Sequence, residues 1–114
     1  MQIKIKASKI DLSPSIKDYI QEKMDMLEKY LGSVTATHCE VEIARELTGQ
    51  HKGKVFRAEL NLTLPGELLR VEKTEKDIYK AIDKVKDHMT RSIRRYKQKL
   101  QDKRRQSVKI ETEQ

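Results

Sequence analysis

A long stripe of apolar residues in the carboxyl-terminal part constrains the fold of this chain more than any other feature. Thr74 and Asp77 have the spacing of a capping box before this stripe, so the pattern predicts a helix from residue 75 to about residue 104. A helix of that length spans about 45 Å at about 1.5 Å per residue, so we expect its carboxyl end to project past a small domain. The stripe recurs at spacings of three and four residues, the period of one helix face, and consists of Ile78, Ile82, Val85, Met89, Ile93, Tyr96 and Leu100.

A second helix is predicted near the amino end. Ser13 has a side-chain oxygen that can cap free backbone amides, and Pro14 suits the first helical position. Gly32 favours the end of the helix, so the predicted bounds are residues 14–31. The apolar residues between these signals have helical spacing, and they are Ile16, Tyr19, Ile20, Met24, Leu27, Tyr30 and Leu31.

Four further segments alternate apolar and polar residues, which is typical of strands with one buried face. Gly49 and Gly53 permit a hairpin between the second and third segments, and Pro65-Gly66 predicts a tight turn between the third and fourth. The four segments are residues 3–7, 38–46, 56–64 and 67–71.

The predicted order of elements is therefore β-α-β-β-β-α, which defines an α+β fold. A helix between the first two strands implies a right-handed crossover if these strands pair in parallel, whereas hairpins make the other neighbours antiparallel. We expect a four-stranded mixed sheet with two helices packed on one face. In this interpretation residues 1–105 form a single α+β domain, and residues 106–114 form a flexible carboxy-terminal tail.

Basic residues are concentrated near the end of the second predicted helix. Residues 91–105 hold eight Lys and Arg against Asp102 alone, a charge of +7 that equals the net charge of the whole chain. A concentrated positive charge attracts a polyanion, whereas an even distribution would mainly aid solubility. Aromatic residues make up 4% of the chain, which argues against a binding mode built on stacked bases. The eight residues are Arg91, Arg94, Arg95, Lys97, Lys99, Lys103, Arg104 and Arg105.

Residue types that perform catalysis or bind metals do not converge in this sequence. A Gly-rich phosphate loop and a nucleophile elbow are both missing, and the neighbours His38 and Cys39 would point to opposite faces of a strand. Cys39 shares its alternating face with Val41, so we expect it to be buried. We therefore expect no enzyme activity, no cofactor, no metal and no small-molecule substrate. Without a secretory signal or a long apolar run, we expect a cytoplasmic protein that does not enter a membrane.

Several segments resemble the bacterial ribosome hibernation promoting factors, also called ribosome-associated inhibitor A or sigma-54 modulation proteins. Residues 77–83 look like the family pattern D-M-Y-x-A-I-D, and residues 87–100 look like its D-K-L-x-R-Q-L-x-K-x-K-x-K run. The amino half, through residues 1–5, 12–16 and 23–30, is also similar, so the resemblance covers about residues 1–105. Long members of this family carry a second, carboxy-terminal domain after a linker, so for these 114 residues we expect the short type.

The resemblance implies a function and a set of contacts. Members of this family bind the small ribosomal subunit and its rRNA in the mRNA and tRNA channel, compete with mRNA and tRNA, and keep idle ribosomes inactive. We expect the same here, with the protein a monomer away from the ribosome. Two positions depart from the family pattern: His88 stands where lysine is usual, and Ser92 where glutamine is usual. The predicted rRNA-binding residues are Lys23, Arg91, Arg94, Arg95, Lys97 and Lys99, of which Arg94 is added from local charge alone.

Two other functions remain open from the residues alone. A general double-stranded RNA-binding module also places two helices against an antiparallel sheet, although it begins with a helix and has three strands. Alternatively, the long stripe from Ile78 to Leu100 could form a coiled coil with a protein partner. Core packing is the preferred interpretation, because the sheet otherwise has too few helices to cover it.

Overall fold

The computed structural model describes the backbone of residues 1–47 and 54–113 and the side chains of residues 1–46 and 55–106. The order of elements confirms the predicted α+β fold. The predicted hairpin turn with Gly49 and Gly53 lies outside the described residues. The elements are β1 (Ile3–Ser8), α1 (Pro14–Leu31), β2 (His38–Leu47), β3 (Lys54–Leu64), β4 (Glu67–Glu75) and α2 (Ile78–Glu113).

The four strands form one mixed sheet in the spatial order β1-β2-β3-β4. β1 pairs in parallel with β2, and the remaining neighbours pair antiparallel. The register places Ile5 opposite Val41, Val41 opposite Leu60, and Leu60 opposite Val71. Because residues that are directly opposite share a face, this row defines the apolar face of the sheet.

Both helices cover this apolar face, as predicted. Ile20 and Leu27 of α1 and Ile93 of α2 are fully buried, and so is Leu60 of the central strand β3. The serine cap of α1 is also confirmed, since the Ser13 side chain accepts a hydrogen bond from the Ile16 backbone amide at 3.2 Å. Apolar burial of this kind is the main force that docks two amphipathic helices on a sheet.

The amino end of α2 differs from the prediction. Thr74 belongs to β4, which pairs with β3 as far as Glu75 and places Thr74 opposite Arg57. Asp77 caps the helix instead, because its side chain accepts a hydrogen bond from the Tyr79 amide at 2.8 Å. The predicted capping box is therefore wrong: hydrogen bonds with a neighbouring strand outweigh a local capping preference.

The carboxyl end of α2 also differs from the prediction, since the helix continues to Glu113 and has 36 residues. At about 1.5 Å per residue it is about 54 Å long, and the longest dimension of the molecule is 65 Å. The expected projection is thus present, because residues 101–106 are helical and exposed. The mobility of residues 106–114 and the division at residue 105 stay predictions.

Two leucines on neighbouring strands allow a test of this core. Leu60 is 0% exposed, whereas Leu68 is 58% exposed. We expect Leu60→Ala to lower the free energy of unfolding by about 2–5 kcal/mol, because it removes buried methyl groups and leaves a cavity. The matched Leu68→Ala should change it by less than about 0.5 kcal/mol. Urea unfolding followed by circular dichroism measures both, and equal losses would contradict the described packing.

Candidate nucleic-acid interface

The two helices lie side by side and run in the same direction. Near their amino ends, the Tyr19 hydroxyl donates a hydrogen bond to the Asp83 carboxylate at 2.5 Å. Near the carboxyl end of α1, the Arg94 guanidinium donates to the Tyr30 hydroxyl at 3.1 Å. We call the line of contact between these two pairs the interhelix seam. It divides the predicted basic residues into those that lie in the seam and those on the other side of α2.

Lys23 lies in the seam beside Asp83. Its Nζ atom is 3.5 Å from a carboxylate oxygen of Asp83 and 5.0 Å from the centre of the Tyr19 ring, and its side chain is 19% exposed. The hydrogen bond to Asp83 is the largest cause, ahead of burial, of the rise in the pKa of Tyr19 to about 12. The phenol therefore remains a hydrogen-bond donor at neutral pH. Tyr79 packs edge-on against the Tyr19 ring with centroids 5.0 Å apart. The positive charge of Lys23 is therefore largely compensated within the protein.

Lys97 occupies the other end of the seam, where α1 ends. Its Nζ atom donates a hydrogen bond to the Tyr30 backbone carbonyl at 2.6 Å and lies 5.3 Å from the centre of the Tyr30 ring. Carbonyls in the last turn of a helix have no partner inside the helix, and a cation there also complements the helix dipole. Arg94 donates its hydrogen bond to the hydroxyl of the same tyrosine, and this bond raises the pKa of the Arg94 guanidinium. Lys97 and Arg94 thus join α2 to the carboxyl end of α1.

Arg91, Arg95 and Lys99 form a separate group, which we call the outer row. Their spacing of four residues places them along one side of α2. The Lys99 side chain is 68% exposed, and its Nζ atom lies 3.6 Å from a carboxylate oxygen of Glu67 at the start of β4. Arg91 and Arg95 are exposed and have no ion pair with the part of the chain whose side chains are described. These two arginines are therefore the predicted site residues that are most available to an external anion.

His88 and Lys73 flank the outer row, and the sequence did not assign them to the site. The Nδ1 atom of His88 is buried and has no hydrogen-bond partner among the described residues. Burial lowers the pKa of His88, and the charges of Lys73, Arg91 and Arg95 lower it further. The position of His88 three residues before Arg91 was a usable signal, but Lys73 lies on β4 and required the tertiary structure.

The open face of the sheet, opposite the helices, is neutralised by an ion-pair network. Arg57 contacts the carboxylates of Glu42 at 2.7 Å, Glu46 at 2.9 Å and Glu59 at 3.0 Å. The hydrogen bond with Arg57 lowers the pKa of Glu42. This arginine is already paired with carboxylates, so it is less available to an external anion than the exposed arginines of the outer row.

The described residues offer little support for metal binding or thiol chemistry. No three His, Cys, Asp or Glu side chains within residues 1–46 and 55–106 come together as metal ligands. Cys39 is 2% exposed, as expected, and burial raises the pKa of its thiol to about 11. None of the described helices carries an apolar stretch of membrane-spanning length.

A mixed sheet covered by two parallel helices, with exposed arginines along one of them, defines an α+β domain suited to contacts with nucleic-acid phosphates. Residues 3–101 match the family described as Sigma 54 modulation protein / S30EA ribosomal protein. The chain belongs to this family, in agreement with the resemblance seen in its motifs.

Several curated relatives are proteins named ribosome hibernation promotion factor. The chain is 25% identical to that of Deinococcus radiodurans over 107 residues, which are 93% of this chain and 54% of the relative. It is 29% identical to that of Lactococcus lactis over 113 residues, which are 95% of this chain and 56% of the relative. The chain thus spans about half the length of the curated relatives it matches.

Two solved structures are similar to this fold. The amino-terminal domain of Protein Y from Thermus thermophilus superposes with a TM-score of 0.66 at 28% identity, covering 84% of this chain and 99% of that domain. A ribosomal subunit interface protein from Coxiella burnetii superposes with a TM-score of 0.65 at 17% identity, covering 85% of this chain and 98% of that protein. At this low identity the second likeness supports the fold alone.

Substitution of Lys97 tests its role as a cap. We expect Lys97→Met to lower the free energy of unfolding by about 1–2 kcal/mol, because the Tyr30 carbonyl loses a charged hydrogen-bond donor. The matched Lys99→Met, at a residue that is 68% exposed, should have a much smaller effect. Urea unfolding at neutral pH compares the two variants. A loss for Lys99→Met as large as that for Lys97→Met would contradict the cap.

The pH dependence of stability tests the environment of His88. Its pKa in the folded protein is below the ordinary value of 6.5, so the unfolded chain binds more protons between these two values. The stability from the neutral imidazole is complete above about pH 6.5 and decreases as the pH falls toward 5. We expect His88→Gln to reduce this decrease, whereas His38→Gln, at an exposed position, should retain it. Thermal unfolding from pH 5 to pH 7.5 measures the difference, and identical profiles for both variants would show that His88 is not responsible.

Proposed function

We propose that this chain is a ribosome-associated translation inhibitor, a hibernation factor that binds rRNA of the small ribosomal subunit. In this proposal it occupies the channel for mRNA and tRNA and keeps idle ribosomes inactive. The observation that carries the proposal is the outer row, in which Arg91 and Arg95 are exposed and have no ion-pair partner among the described side chains, on a helix docked by its opposite side. Membership in the S30EA family and the name of the curated relatives support the same function.

The proposed mechanism requires binding and no catalysis. Phosphate contacts need only charge and reach, and they position a protein on RNA without reading its sequence. Arg91, Arg95 and Lys99 contact phosphates directly, while Lys23, Arg94 and Lys97 keep the two helices in a fixed relation and add to the positive field. Since a site built on packed helices is held rigidly, the domain can fill the channel and exclude mRNA and tRNA. Such a factor acts in the cytoplasm, where ribosomes work.

The fold disfavours both alternatives. A double-stranded RNA-binding module has a three-stranded antiparallel sheet, whereas the described residues form a four-stranded mixed sheet in which β1 pairs in parallel with β2. A coiled coil through the stripe of α2 would require an exposed stripe, yet Ile82 is 2% exposed and Met89 is 0% exposed against the sheet. These apolar side chains are therefore already occupied by the core.

Charge reversal in the outer row tests the proposed function. We expect Arg91→Glu/Arg95→Glu to fold normally but to bind purified small subunits more weakly, with a salt dependence reduced by about two units of slope for two lost phosphate contacts. Co-sedimentation at several salt concentrations, with and without saturating mRNA and tRNA, measures affinity, slope and competition. Binding of the wild type should decrease when mRNA and tRNA are present.

The matched control is Lys4→Glu/Lys6→Glu, which reverses the same number of charges on exposed residues of β1. These lysines alternate with Ile3 and Ile5 and lie on the open face of the sheet, away from the helices. We expect this control to retain most of the affinity. Normal ribosome binding by a folded Arg91→Glu/Arg95→Glu variant would refute the role of the outer row.

A further inference from the structure

The six residues that follow Leu100 form a distinct part of α2, which we call the basic arm (residues 101–106). Leu100 is the last stripe residue that packs against the core. Every residue of the arm is exposed, and the backbone remains helical throughout. The arm therefore extends beyond the packed domain as a continuation of a docked helix.

The positive charges of the arm surround the helix axis. Lys103, Arg104 and Arg105 are consecutive, and consecutive residues in an α-helix differ by about 100° around the axis. The three side chains therefore leave the helix in three widely separated directions. The neighbouring Asp102 accepts a hydrogen bond from Gln98 at 3.2 Å. No ion pair joins it to the three cations within the described side chains.

This arrangement differs from that of the outer row. Arg91, Arg95 and Lys99 are four residues apart, so they stay on one side of α2 and suit a single wall of phosphates. Cations on one side of a helix are enough to bind a flat surface of phosphates. On such a surface, a helix with cations on three sides would leave two of its three cations facing solvent. The basic arm instead matches a narrow passage with phosphates on more than one side.

We propose that the basic arm is a second RNA-binding element, which inserts between phosphate groups of structured RNA that lie on different sides of the helix. This inference rests on the proposed function and adds to it a site separate from the outer row. A free helix of a few turns is marginal in water, so continuity with the docked part of α2 stabilises the arm. That continuity lets the domain present three charges in fixed directions beyond its own surface.

Three single substitutions test whether cations on all three sides of the basic arm contact RNA, with purified small ribosomal subunits as the probe. Lys103→Gln, Arg104→Gln and Arg105→Gln each remove one charge and preserve helix-forming side chains. We expect each to weaken binding by a similar factor, about threefold to tenfold, and to reduce the salt slope by about one unit. Lys4→Gln on the open face of the sheet is the matched control and should bind like the wild type.

A helix break tests whether the direction of the charges matters. Gln101→Pro leaves every charge in place but removes the backbone hydrogen bond from residue 101 to the carbonyl of residue 97, so it kinks the helix in the turn before the three cations. We expect it to weaken binding by at least as much as a single charge removal, while Gln101→Ala retains full affinity. Urea unfolding should confirm that the core of both variants is unchanged.

The possible outcomes separate this inference from the proposed function. If one cation accounts for the whole loss of affinity, the proposal that the basic arm contacts phosphates on different sides is wrong. It is also wrong if all three Gln variants bind with wild-type affinity. In either case, loss of binding by Arg91→Glu/Arg95→Glu would still support the outer row and the proposed function. If the wild-type protein does not bind small subunits even at low salt, both proposals are wrong.

Discussion

The burial of one apolar stripe of α2 against the sheet is the interaction on which the rest of the structure depends. Met89 and Ile93 are fully buried in it, and the Tyr96 hydroxyl donates a hydrogen bond to the Pro65 carbonyl at 2.6 Å. Once this stripe is fixed, the rotation of α2 about its axis is fixed as well. Every other side of the helix then has a defined neighbour, which is α1, the start of β4 or solvent.

The seam between the helices makes polar side chains part of this framework. Tyr19, Lys23 and Asp83 join the helices near their amino ends, while Tyr30 and Lys97 join them near the carboxyl end of α1. Basic residues in the seam thus stabilise the packing of the two helices and also contribute to the positive electrostatic potential. The outer row is different, because its arginines contribute charge and form no ion pair with the side chains that the structure describes. A proposed RNA-binding surface of this kind combines a rigid base with cations that remain available.

Particular residues show how far the sequence could predict this arrangement. The spacing of apolar residues and the cap at Ser13 predicted α1 correctly, and the alternation in β3 predicted its buried face. The capping box at Thr74 failed, because β3 pairs with β4 as far as Glu75. The pairing of Lys23 with Asp83 was also beyond sequence reasoning, since these residues are far apart in the chain. Sequence patterns did not indicate which of the six predicted site residues are compensated inside the protein, and the structure separates them into two groups.

By itself the sequence determined the α+β order of elements and the location of the excess charge, because both follow from local patterns of residue type. Apolar spacing depends on the geometry of one helix or strand, and net charge depends on composition alone. The tertiary structure decided which cations are compensated, since that depends on contacts between distant elements. It placed Lys23 beside Asp83, Lys97 on the end of α1 and Lys73 near His88, and it left Arg91 and Arg95 exposed. Charge compensation is a short-range effect, so only the packing of α2 against α1 and β4 could settle it.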